Sequence, residues 1–197
     1  MKKLTFILAA AAVLMLSTPA SAQWGAGFGF SQFTHSGSDK VLDEAIPGFY
    51  FGIKYDFNFS TLEGLSFEPG VNIVHYGKTY SYLGFGEKEY RANYLSIPLN
   101  IKYTVEAGDD FTLSGFTGPR FNLGLGGNMF SRGETYPGLK AHDAQWGFGV
   151  AGTYSDAIQL RLGYDFGLTK SIKGVKGADV SPKVFRNALN FGIAFLF

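Results

Sequence analysis

The sequence predicts an all-β fold: a closed antiparallel transmembrane β-barrel of about eight strands in up-and-down order. Three observations carry that prediction. The chain opens like an exported protein; the rest alternates with period two between bulky apolar and small polar residues; and its connectors are short and long in turn. Composition agrees, with 20 Phe, 11 Tyr, 2 Trp and 27 Gly among 197 residues and 17% charged residues. A water-facing surface draws on Lys and Glu, whereas a wall facing lipid carries an apolar, aromatic band.

The opening segment has Lys2 and Lys3, an apolar run from Leu4 to Leu16, and the ending Ser17-Thr18-Pro19-Ala20-Ser21-Ala22. A basic start, a short apolar stretch and an Ala-x-Ala end describe a secretory signal peptide. The run is too short for a membrane-spanning helix, which needs roughly 20 residues. Residues 1–22 are therefore expected to be a cleaved signal peptide and residues 23–197 one barrel domain. The chain has no Cys, which excludes a lipid-anchored lipoprotein, a disulfide framework and a Cys-based zinc site. Acidic and basic residues nearly balance, at 16 against 17, so no nucleic-acid partner is expected.

The strands read in order as follows. Trp24, Ala26, Phe28 and Phe30 alternate with Gly25, Gly27, Gly29 and Ser31. Phe49, Phe51, Ile53, Tyr55, Phe57 and Phe59 oppose Tyr50, Gly52, Lys54, Asp56 and Asn58. Leu65 to Ile73 sets Phe67, Pro69 and Val71 against Ser66, Glu68, Gly70 and Asn72. Leu95 to Val105 sets Ile97, Leu99, Ile101 and Tyr103 against Ser96, Pro98, Asn100 and Lys102. Phe111, Leu113, Phe121, Leu123 and Leu125 oppose Ser114, Arg120 and Asn122. Trp146, Phe148, Val150 and Tyr154 oppose Gln145, Gly147, Gly149 and Thr153. Ile158, Leu160, Leu162, Tyr164 and Phe166 oppose Gln159, Arg161, Gly163 and Asp165, and Leu189 to Phe197 closes the series.

Periodicity alone does not say which face is outside. Small polar residues suit the cramped lumen of a narrow barrel, where side chains from every strand converge. The aromatic face is too bulky for that lumen and is assigned to lipid.

Short connectors are expected at 60–64, 106–110 and 155–157, and long ones at 36–46, 79–91, 127–143 and 169–186. Short periplasmic turns and longer outer loops are the habit of outer-membrane barrels. The short turns carry Glu63, Glu106, Asp109, Asp110 and Asp156. The last long loop carries Lys170, Lys173, Lys176, Lys183 and Arg186 against Asp179, a basic rim suited to lipopolysaccharide phosphates.

The segment Tyr94-Leu95-Ser96-Ile97-Pro98-Leu99-Asn100-Ile101-Lys102-Tyr103 resembles the central strand of the PorT-like outer-membrane β-barrel family, common in Bacteroidota. Gly118-Pro119-Arg120, Trp146 to Gly152 and Arg161 to Thr169 are similar to its later strands. The resemblance spans the expected mature chain and implies a small outer-membrane barrel with no shared catalytic residues. Ser96 stands where an acidic residue is frequent in that family.

Chemistry-bearing residues are few. Lys54, Glu68, Lys102, Arg120, Arg161 and Asp165 fall on the lumen face. Buried charges need partners, so Glu68 is expected to pair with Lys54 or Lys102, and Asp165 with Arg120 or Arg161. Phe191, Ile193, Phe195 and the terminal Phe197 match the signal read by the barrel-assembly machinery. Tyr76, Tyr80, Tyr82, Phe85, Tyr90 and Tyr94 surround the second long loop, as an interfacial aromatic girdle or as a contact surface for a protein or glycan. A lipid-modifying enzyme would draw on His35, His75 or His142, with Glu87, Glu89 or Asp143 and Ser81 or Ser131, but no spacing marks these as a set.

The expectation is an integral outer-membrane barrel with a structural, adhesion or interaction role through its outer loops, neither an enzyme nor a cofactor binder. A narrow channel or secretion-associated component is the second reading, and a lipid-A-modifying enzyme the third. Expected partners are outer-membrane lipid and lipopolysaccharide, the assembly machinery, and a protein or glycan at the loops.

Overall fold

Strand-forming residues with two chemically distinct faces bury one of them by curling a sheet onto itself. In a computed structural model of the chain the curl is complete. The structure describes residues 23–38, 45–59, 61–82, 86–129, 142–171 and 183–197; at 80–82, 86–89 and 127–129 it describes backbone pairing alone. The predicted signal peptide, Lys173, Lys176 and Ser131 lie outside the described residues.

The strands are β1 (Gln23–Ser36), β2 (Ile46–Asn58), β3 (Leu65–Tyr82), β4 (Gly86–Gly108), β5 (Phe111–Met129), β6 (His142–Tyr154), β7 (Ile158–Gly167) and β8 (Phe185–Leu196). Each pairs antiparallel with the next, and β8 returns to β1 to close the barrel. Phe28 sits at the seam, paired with Phe51 on β2 and Ile193 on β8. Beyond the last ladder rung, Trp24 and Phe197 exchange backbone hydrogen bonds of 3.0 and 2.9 Å, so β1 starts at the end of the barrel where β8 finishes. Closure leaves no free edge along the seam, as a lipid environment requires.

The alternation assigns faces as expected. Phe28, Phe51, Ile73, Phe148 and Leu160 point outward and are about half exposed, while Ser31, Glu68, Ser96 and Gln159 point inward and are at most 2% exposed. Glycine makes room where walls approach. A Cβ on Gly29 would lie 2.2 Å from the Phe191 carbonyl and 2.6 Å from Gly192 Cα across the β1–β8 seam.

Three short turns mark one end of the barrel. The β6–β7 turn has Ser155 and Asp156 at φ 49° and 53°, with Ala157 donating back to Tyr154 at 3.1 Å. That is the type I′ geometry that matches the twist of a hairpin. The β4–β5 turn is only Asp109 and Asp110, so residues 106–108, expected in a connector, belong to β4.

The second long connector is corrected more substantially. Pairing of β3 with β4 continues from His75↔Asn93 through Tyr82↔Gly86, so most of 79–91 is a regular hairpin. By contrast the β2 ladder stops at Tyr76 and the β5 ladder at Tyr90. Among the described residues the hairpin thus runs past the ladders on either side of it.

The aromatic girdle is corrected for three of its six residues; Phe85 and the side chains of Tyr80 and Tyr82 lie outside the described residues. Tyr76, Tyr90 and Tyr94 face the lumen and are at most 4% exposed. With Phe33, Ile46, Val74, Ala92 and Ala188 they form an apolar cluster inside the long-loop end. An outward aromatic band occurs at the short-turn end, where Trp24 packs edge-on to Tyr55 at 4.7 Å and Tyr55 to Phe57 at 4.3 Å.

Candidate functional site

Eight inward faces converge on a narrow axis, and the lumen they enclose is the site the fold defines. At its short-turn end Lys102 on β4 makes an ion pair with Asp56 on β2. Beside it Thr104 and Ser114 share a hydroxyl hydrogen bond of 2.9 Å.

One layer higher, Glu68 on β3 is the hub. Arg161 on β7 donates from Nη1 to Oε2 and from Nη2 to Oε1, each at 2.7 Å. Lys54 on β2 donates to Oε2 at 2.8 Å, and Asn100 to Oε1 at 3.2 Å. Lys102 Nζ stands 4.0 Å from the same carboxylate. Gln159 accepts from both Lys54 and Arg161 and donates to Thr153. The Arg161 guanidinium also lies 4.2 Å from the centre of the Phe116 ring, an inward aromatic that breaks the small-polar pattern of β5. Paired and bidentate charges of this kind are the ones a low-dielectric interior tolerates.

Above the hub lies a cavity of about 70 Å³ whose walls include Tyr50, Asn72, Phe116, Arg120 and Asp165. Its upper boundary is a second charge cluster. Arg120 Nε is 3.1 Å from Asp165 Oδ2, and Asn190 donates to that oxygen at 2.7 Å. Ser31 links Asn190 to the Tyr76 hydroxyl through contacts of 2.7 and 2.8 Å.

The long-loop end is sealed by Arg186, and here the sequence expectation is corrected. Arg186 was placed on the basic outer rim as a lipopolysaccharide contact; it is instead 2% exposed and turned into the lumen. Its Nη2 lies 3.0 Å from Asp143, and its guanidinium is 4.0 Å from the Tyr94 ring centre, 5.7 Å from Tyr76 and 6.0 Å from Phe33. Asp143 further accepts from Asn122 at 2.7 Å. A planar cation on aromatic faces is favourable where water is excluded. The strand β8 begins earlier than its apolar alternation, at Phe185, and that extension carries Arg186 inward. Of the other basic loop residues described, Lys183 is exposed and Lys170 half-buried.

The structure thus brings Lys54, Glu68, Lys102 and Arg161 into one cluster and Arg120 and Asp165 into another. Asp56, Asp143 and Arg186 are members the sequence reading missed. Asp56 shares its face with Lys54, a signal that was available; the other two fell in segments read as loop.

The residues considered for acyl chemistry do not assemble. His75 is on the lipid side, 2.6 Å from Asn93 and against Phe49. Asp143 is spent on Arg186, and its neighbour His142 points the other way and is exposed. His35 is buried beside Phe33 inside the long-loop end. Among the described residues no group of three His, Cys, Asp or Glu could hold a metal ion.

A closed eight-stranded barrel with a lipid-facing apolar band and a charge-filled lumen defines an outer-membrane barrel protein of bacteria. The chain belongs to the outer membrane protein beta-barrel domain family, whose profile matches residues 17–173. Its fold is similar to Ail, the attachment invasion locus protein of Yersinia pestis, at 14% identity and TM-score 0.56, over 90% of this chain and 100% of Ail. It is also similar to OprG from Pseudomonas aeruginosa, at 13% identity and TM-score 0.53, over 90% of this chain and 96% of OprG. No curated protein matches the chain in sequence.

Proposed function

We propose that the protein is a sealed barrel whose wall and lumen serve stability and whose work is done by its outer loops, as a structural or interaction protein without catalytic activity. The observation that carries this reading is the lumen itself. Ion-paired Glu68 fills its middle and Arg186, stacked on Tyr94, fills its outer mouth, with a cavity of only about 70 Å³ between them. An eight-stranded barrel has room for side chains or one small ligand, which favours a plug over a path. On this reading residues 1–22 direct export, the C-terminal strand with Phe191, Ile193, Phe195 and Phe197 engages the assembly machinery, and the chain is a PorT-like member of its family.

Planar bilayers test the proposal. The wild-type barrel is expected to give no steady unitary conductance. Conductance that vanishes on replacing Lys102 or Arg120 would put the channel reading ahead. A change in lipid A acylation that depends on His75 or His142 would overturn the non-catalytic reading.

A second reading concerns the ligand class at the loops. Lys170, Lys173, Lys176 and Lys183 lie within fourteen residues of sequence, and Ail, similar in fold, was crystallised with the polyanion sucrose octasulfate, a heparin analogue. Both support an anionic partner, such as lipopolysaccharide phosphates, at this loop. Charge reversal at these four lysines is expected to weaken retention on immobilised lipopolysaccharide at low salt.

A further inference from the structure

Counting charges along the lumen leaves a surplus. Between the Lys102–Asp56 layer and the Arg186–Asp143 layer, the described inward residues include five cations, Lys54, Lys102, Arg120, Arg161 and Arg186, against four carboxylates, Asp56, Glu68, Asp143 and Asp165. The outer cluster is balanced, with Arg120 on Asp165 and Arg186 on Asp143. The inner one is not, since Lys54, Lys102 and Arg161 share only Asp56 and Glu68. An uncompensated charge held out of water is strongly unfavourable.

The cavity lies where that surplus would be answered. Lys54 and Arg161 line it from the hub side and Arg120 from the other, with Glu68 and Asp165 as the acids on its walls. Arg120 is also under-used as a donor. Its Nε faces Asp165 at 3.1 Å without the alignment of a hydrogen bond, and its Nη1 reaches Ser96 only at 3.4 Å. The volume, about 70 Å³, exceeds the roughly 10–15 Å³ that one water requires. It has room for a small ion with a few waters.

We propose that this chamber is a binding site for one small monovalent inorganic anion of the halide class, held by Lys54, Arg120 and Arg161 as the counter-charge of the plug. The anion is a structural component of the sealed lumen, independent of any partner at the loops.

The test uses the full barrel refolded and crystallised in bromide, with unfolding followed in detergent at constant ionic strength. An anomalous bromide peak is expected in the cavity. The unfolding midpoint is expected to be higher in chloride or bromide than in gluconate by roughly 2–4 °C. Two variants remove the surplus in opposite ways: Lys54→Met deletes a cation, and Asn72→Asp supplies a carboxylate from the cavity wall. Each is expected to abolish both the peak and the halide dependence. Asn72→Asp keeps the test decisive should Lys54→Met fail to fold. Bromide found only on the outer surface, equal midpoints in halide and gluconate, or undiminished halide dependence in Asn72→Asp would each overturn the proposal.

Discussion

Arg161 on β7 grips Glu68 on β3 across the lumen, each Nη within 2.7 Å of a different carboxylate oxygen, although 93 residues separate them in the chain. The two strands are not neighbours in the sheet. The pair therefore braces the barrel across its diameter, a contact no ladder hydrogen bond provides.

Removing the hub carboxylate should be costly. In Glu68→Gln, Arg161 and Lys54 keep their burial and lose their charge partner, and breaking a buried pair costs about 3–5 kcal/mol. Urea unfolding in detergent is expected to show a correspondingly lower midpoint. The double variant Glu68→Met with Arg161→Met is expected to lose less than the two single variants summed, by about 1–3 kcal/mol of coupling.

Arg186 and the loop lysines should separate cleanly. Arg186→Ala strands Asp143 inside the mouth and uncovers Tyr94, so a stability loss of about 3–5 kcal/mol is expected, with retention on lipopolysaccharide unchanged in the folded fraction. Lys170→Glu with Lys183→Glu is expected to do the reverse. Midpoints and retention measured on the same preparations distinguish the two behaviours.

The lipid face should respond to depth. Phe51 lies mid-strand between Phe28 and Ile73, whereas Val105 is near the turn after β4. Arginine at a bilayer midplane costs about 2–4 kcal/mol and near an interface about 0–1 kcal/mol. Phe51→Arg is expected to slow insertion into liposomes and lower the yield of the heat-modifiable band, while Val105→Arg leaves both near wild type.

The seam should tolerate no added carbon at Gly29. Its neighbours at 2.2 and 2.6 Å are backbone atoms of β8 that cannot swing aside. Gly29→Ala is expected to cost about 1–3 kcal/mol through forced separation of β1 from β8. Ala26→Val, one turn of the pleat away on the outward face, should be near neutral. Amide exchange along β1 and β8 reads the difference.

How far the sequence reaches is clear from particular residues. Phe51 and Lys54 could be assigned to opposite faces by parity because side-chain direction in a strand is a local property with period two. Arg186 was misassigned because it lies in a strand end that the sequence reads as loop, and Tyr94 because an aromatic beside a long loop reads as interfacial girdle until the β4 strand is seen to continue past it. Phe116 went unnoticed because a lone large residue among small inward ones is legible only once the space it fills is known.

By itself the sequence determined the all-β class, the number of strands, the closed up-and-down order and the lipid-facing side, all from repeating local signals. Only the tertiary structure decided that Arg161 turns to Glu68, that Lys102 takes Asp56, and that Arg186 closes the mouth from within. The reason is geometric: which inward residues share a height depends on ladder register accumulated around eight strands, and a shift of two residues in any ladder would preserve every face while changing every partner.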